Sequence, residues 1–145
     1  MNKTKRKIFE TSMKLFADKG YDATSIEEIT ATVGVAKGTL YYHFSSKEEI
    51  FEFLVEEGVK LLKNSISIKT DNLKNSIDKI RAIVLIQIKV LFKYESFMTI
   101  ILSQIWGNDE RSQLCKKHVF EYIQMIEEIV KEGQEKGEIV DADSN

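Results

Sequence analysis

Residues Ser25–Phe44 read SIEEITATVGVAKGTLYYHF, and this stretch decides the fold. Ile26, Ile29 and Val33 recur at helical spacing and stop at Gly34. After Val35 a second short run carries Leu40 and Phe44 on its apolar side. Helical periodicity broken by one glycine describes two short helices crossing steeply. That is a helix-turn-helix, whose second helix lies in the DNA major groove. The first run is preceded by a T-x-x-E frame, Thr24 to Glu27, which predicts a capping box closing its N-terminus.

The second run, Lys37 to His43, is dense in hydrogen-bond donors for its length. Lysine offers an ammonium to guanine or phosphate. Threonine offers a hydroxyl and a methyl group, and tyrosine and histidine donate to phosphate oxygens while their rings pack. Gly38 is costly inside a helix, so its presence points to a place where the helix backbone approaches something closely. Of Tyr41 and Tyr42, one is expected to cover the small core. His43 fits either a phosphate contact or a hydrogen-bonded place in the protein.

Moving outward, a first helix is expected from about Thr4 to Lys19, with Ile8, Phe9, Ser12, Met13, Leu15 and Phe16 on one face and Gly20 as its stop. Lys3, Lys5 and Arg6 at its start are either solvated or reach a phosphate. On the other side, Ser45/Ser46 with Glu48/Glu49 predict a capped fourth helix running to about Lys63, apolar over a wide face. Asn64–Asn75 is polar and contains an expected loop. Ser76–Lys93 then reads as a helix apolar nearly all round, hence central and buried, with Gln87 as the one amide needing a partner. A shorter helix follows over Ser96–Trp106, and a final one over about Asp109–Lys136. Aromatic and soft side chains gather in these last two, which suits an adaptable pocket, a packed core or an oligomer surface. Gln87, Trp106, His118 and Tyr122 are the candidate ligand-binding residues. Cys115 and His118 lie three apart, but two ligands do not make a metal site, so neither metal nor cofactor is expected.

The whole chain agrees with an all-α protein. Its 145 residues are 43% hydrophobic and contain no proline, and strand-type alternation is absent. A single cysteine excludes an internal disulfide and suits a reducing compartment. The basic N-terminus lacks the apolar run of a signal peptide, and Ala82–Ile86 is broken by Gln87 and Lys89, so no membrane span and a cytoplasmic location are expected. Net charge is −2, yet eight basic residues stand against five acidic ones through Lys47, and thirteen against eighteen thereafter. A basic head on an acidic body suits DNA contact at one end. No nucleophile–base arrangement or glycine-rich phosphate loop points to an enzyme.

The residues Gly20-Tyr21, Thr24-Ser25-Ile26, Ile29, Gly34-Val35, Lys37–Phe44 and Ser46–Ile50 resemble, without a gap, the DNA-binding domain of the TetR family of transcriptional regulators. The resemblance implies an N-terminal three-helix helix-turn-helix domain over residues 1–47. A helical ligand-binding and dimerisation domain would follow over 48–145. It further implies a homodimer on a palindromic double-stranded DNA operator, a small-molecule inducer, and DNA contacts from Ser25, Lys37, Gly38, Thr39, Tyr41, Tyr42, His43 and Lys47. Ala36 stands where the family often has a capping serine, and Thr30 where a small alanine is usual. Relatives continue for two long C-terminal helices that build the dimer interface, so a shortened regulatory domain is expected beyond Asp141. The leading expectation is a repressor released by a small apolar or aromatic ligand. The alternatives are a DNA-binding protein controlled by a protein partner, or a helical interaction module.

Overall fold

The computed structural model describes residues 2–140. The tail Asp141–Asn145, where the shortening is expected, lies outside them. The described residues form helices and no strand: α1 Lys3–Lys19, α2 Ile26–Val33, α3 Lys37–His43, α4 Lys47–Thr70, α5 Ser76–Lys93, α6 Glu95–Gln104 and α7 Glu110–Glu135. Among them no helix is long and apolar enough to cross a membrane. The helices divide into two compact units. One holds the residues up to Gly58 together with Tyr94–Cys115, and the other holds Val59–Lys93 and the residues from Lys116 onward.

In the first unit, α1 packs against α2, α3 and α6. Ile8 and Phe16 of α1, Ile29 and Val33 of α2, and Leu40 of α3 are buried in one core. Leu40 is the sole buried residue of α3, so a single side chain seats the short helix. Truncating a fully buried leucine to alanine costs about 2–5 kcal/mol. Gly34 adopts φ 78° and ψ 41°, a left-handed conformation that glycine tolerates best, and both Gly34 and Val35 amides donate to the Thr30 carbonyl. This closes α2 and turns the chain into α3. An aromatic cluster of Phe16, Tyr21 and Phe51, with ring centroids 5.1, 5.3 and 6.3 Å apart, joins α1, the α1–α2 turn and α4. Further along α4, a Cβ placed on Gly58 would overlap the ring of Phe97 from α6. The glycine therefore makes the notch in which that ring lies.

The cap of α2 differs from expectation by one residue. Ser25, not Thr24, is the N-cap, and its hydroxyl accepts the Glu28 amide at 3.1 Å. The stretch TSIEE offers two overlapping S/T-x-x-E frames, and burial chooses between them. Thr24 is buried and donates its hydroxyl to the carbonyls of Gly20 (2.8 Å) and Leu15 (3.3 Å), tying the turn to α1. At α4 the cap is Ser46, which accepts the Glu49 amide at 3.1 Å, while Glu49 reaches back to the Ser45 amide at 2.6 Å.

In the second unit, α4 continues to Thr70, seven residues past the expected end, so the polar segment from Asn64 is mostly helical. Ser65 and Thr70 donate their hydroxyls to carbonyls four residues back, and Ile66 is buried. A periodic apolar anchor thus overrides the polar composition. Asn75 caps α5, accepting the amides of Ile77 and Asp78 at 2.9 and 3.2 Å. Ion pairs Lys63–Glu121 (2.7 Å) and Lys79–Glu132 (2.8 Å) link α4 and α5 to α7.

α5 corrects a second expectation. It is not buried all round: Ser76 and Ile83 are its buried residues, whereas Ile77, Val84, Leu85, Ile88, Leu91 and Phe92 are exposed. The described helices cover one side of α5 and leave an apolar row on the other.

Candidate nucleic-acid interface

Seating α3 on Leu40 turns its remaining side chains outward. Lys37, Gly38, Tyr41 and Tyr42 are exposed, and Thr39 and His43 are partly so. Tyr42 is 84% exposed, with the His43 ring against its own at 5.0 Å between centroids. Tyr41 is exposed as well, so neither tyrosine serves as core. An apolar-bodied, polar-tipped residue left in water on a rigid helix is free to meet a phosphate. Gly38 has open space where a Cβ would project. Among the described residues nothing requires a glycine there. α3 starts at Ala36 without a side-chain cap, in keeping with the missing serine.

The cations around this face are engaged within the protein. Lys37 Nζ pairs with Glu27 Oε1 of α2 at 2.5 Å. The hydrogen bond and the opposite charge raise the lysine pKa and lower that of the glutamate. Lys7 Nζ donates to the Val33 carbonyl at 2.8 Å, helping to hold the end of α2. Lys5 lies over the rings of Phe44 and Phe53 at 4.7 and 4.4 Å, Arg6 pairs with Glu10, and Lys19 pairs with Glu28. Ser25 spends its hydroxyl on the α2 cap.

Lys47 has a role that spacing did not disclose. Its ammonium donates to the carbonyls of Tyr21 and Thr24, both at 2.9 Å, and lies 4.2 Å from the Tyr21 ring centroid. It closes the α1–α2 turn onto the start of α4. Arg111, at the start of α7, sits 4.0 Å from the same ring. Its guanidinium bonds Asp22 at 3.1 Å and Asp109 at 2.6 Å, and Tyr21 donates its hydroxyl to Glu48 at 2.8 Å. Burial, then the bond to the Glu48 carboxylate, pushes the Tyr21 hydroxyl well above its usual range. Arg111 is therefore a residue that sequence reasoning missed, and Tyr21 one whose role it did not read. Tyr21 was visible as part of the family pattern. Arg111 stands 89 positions from its partner Asp22 and carried no local signal.

The four candidate ligand residues are not assembled alike. Gln87 donates its amide to the Tyr122 hydroxyl, so the lone amide of α5 has a partner within the protein. His118 Nδ1 lies 3.3 Å from Glu121 Oε2, the carboxylate that also pairs with Lys63. Trp106 belongs to the unit of the reading head and is 89% exposed. Cys115 is buried, and burial pushes its thiol up to about 11. Among the described residues no group of three or more His, Cys, Asp or Glu is arranged to hold a metal.

Comparison with known proteins adds independent evidence. The profile of the bacterial regulatory proteins of the tetR family matches residues 8–54. IcaR of Staphylococcus aureus, the negative transcriptional regulator of the biofilm operon icaADBC, is 39% identical over 74 residues, covering 51% of this chain and 40% of IcaR. The match thus spans less than half of that relative. Over a longer span, a Clostridium perfringens protein proposed as a regulator of fatty acid metabolism superposes with a TM-score of 0.86 at 35% identity, covering 94% of this chain and 74% of the other. AibR, solved with isovaleryl coenzyme A and operator DNA, shares the fold at a TM-score of 0.82 and 24% identity, over 97% of this chain and 77% of its own. The helix-turn-helix geometry, the profile match and this likeness over 94% of the chain agree: the chain belongs to the TetR family of bacterial regulatory proteins.

Proposed function

We propose that this protein is a cytoplasmic transcriptional repressor that binds a palindromic operator as a homodimer and is released by a small apolar or aromatic ligand. Residues 1–47 read DNA and the helices from residue 48 regulate the reader. The observation that carries the reading is the outward row of α3, whose polar and aromatic side chains are exposed on a helix seated by Leu40 alone. IcaR, a negative regulator, supports repression, and the Clostridium protein, a proposed regulator of fatty acid metabolism, guides the choice of compounds to test. Lys37, Thr39, Tyr41, Tyr42 and His43 supply the contacts, with Gly38 allowing close approach. Ser25 and Lys47 act chiefly by holding α2 and α4 behind the reader.

Two readers on successive major grooves stand ~34–36 Å apart. A ligand shifts occupancy from 99:1 to 1:99 only by discriminating the two states by ~5.5 kcal/mol. Gln87, His118 and Tyr122, which lie in the second unit, are the residues proposed to meet it. The test is selection of genomic fragments by the purified protein, followed by titration of the selected duplex with acyl-CoA, fatty-acid and aromatic compounds. Salt-sensitive binding to a palindrome, lost on adding one of these, is expected. Binding that no compound relieves, but that a protein partner does, would favour the alternative mode of control. A chain that selects no DNA sequence would refute the reading.

A further inference from the structure

Lys37 is the first residue of the reading helix, and it does not present a free charge. Its Nζ is 2.5 Å from Glu27 Oε1, with the two side chains 54% and 67% exposed. Glu27 comes from α2, the helix that precedes α3 across the Gly34 turn. A cation facing a duplex gains affinity by displacing condensed counterions, about 0.9 per phosphate neutralised. A lysine already bound to a carboxylate gains little until the pair opens, and an opened pair leaves an anion beside the phosphates.

Given the DNA-binding reading above, we infer that Glu27 is a specificity-determining residue that acts through Lys37. Its carboxylate occupies the ammonium and competes with phosphate. A duplex of arbitrary sequence therefore meets a neutral pair. A duplex that presents a better-placed acceptor to Lys37 draws the lysine away. Affinity for random DNA is lowered, and the gap between cognate and random sites is widened.

The experiment measures fluorescence-anisotropy titrations of the full chain on two duplexes, one of mixed sequence and one selected from a random pool. The proteins are wild type, Glu27→Gln, Lys37→Ala and the double variant. Glu27→Gln should tighten binding to the mixed duplex more than to the selected one. It should also steepen the salt dependence by about one counterion. The gain at about 50 mM salt should then exceed the gain at about 200 mM by about 3.5-fold, the factor one added phosphate contact contributes. In the Lys37→Ala background the same change should shift affinity by less than about twofold. An equal gain with and without Lys37 would overturn the inference, because Glu27 would then merely repel the duplex. An equal gain on both duplexes would overturn it too. If the wild type binds neither duplex at low salt, the DNA-binding reading itself falls and takes this inference with it.

Discussion

Replacing Gly38 by alanine separates what the chain needs from what its partner needs. Gly38 is the second residue of α3, has an ordinary helical conformation, and leaves open space where a Cβ would stand. Alanine is favoured over glycine by about 1 kcal/mol in a helix interior. So near an N-terminus the gain is nearer about 0.5 kcal/mol, which raises the melting temperature of a chain this size by about 1–2 °C. Against DNA the sign reverses. A methyl group forced into a close-fitting contact costs about 1–3 kcal/mol, a loss of about five- to 150-fold in affinity. Thermal unfolding followed by circular dichroism and anisotropy titration on the selected duplex measure both effects on one preparation. A variant that is more stable and binds DNA as well as wild type would show that α3 does not bring its backbone close to the duplex there. A variant that is less stable would show that the helix is not seated as described.

Other substitutions probe the supports of the reader. Lys47→Ala removes the donor to two backbone carbonyls and should lower stability by about 1–2 kcal/mol in denaturant titrations. A stability unchanged within error, with DNA binding reduced, would return Lys47 to direct phosphate contact. Gly58→Ala gains helix propensity but overlaps Phe97, so a net loss of about 0–2 kcal/mol is expected, restored when Phe97→Leu is added. Asp109 is held down to about 2 by its bonds to the Ser112 hydroxyl and amide and to Arg111. A depressed carboxylate stabilises above its unfolded pKa and loses that effect as pH falls through the folded value. Asp109→Asn should accordingly melt lower than wild type at pH 7, and the gap should close between about pH 4 and pH 2. A gap independent of pH would remove the charge from the explanation.

The reading helix was legible because its signals are local. Gly34 between two apolar runs, with Leu40 and Phe44 one turn apart, fixes the turn and the inward face with no information from elsewhere in the chain. The α2 cap was ambiguous for the opposite reason. Thr24 and Ser25 are equally good caps locally, and the carbonyls of Leu15 and Gly20 decide between them. The extent of α4 was underestimated because Lys63–Thr70 is polar, although Ile66 and Thr70 repeat at helical spacing and are buried. For α5, an apolar run showed that something must cover it, but not which side the described helices would cover. The tie from Arg111 to Tyr21 joins positions far apart in the chain, which no periodicity could reveal.

The exposure of Trp106 has a practical consequence. It is the only tryptophan in the chain, and it stands almost entirely in water. Native emission should therefore resemble that of free indole: red-shifted, open to collisional quenchers and nearly unchanged by unfolding. Such a chromophore is a poor gauge of folding and a sensitive gauge of contact. Any molecule that comes to rest on it would shift its emission to the blue and shield it from iodide, giving a label-free optical signal of docking.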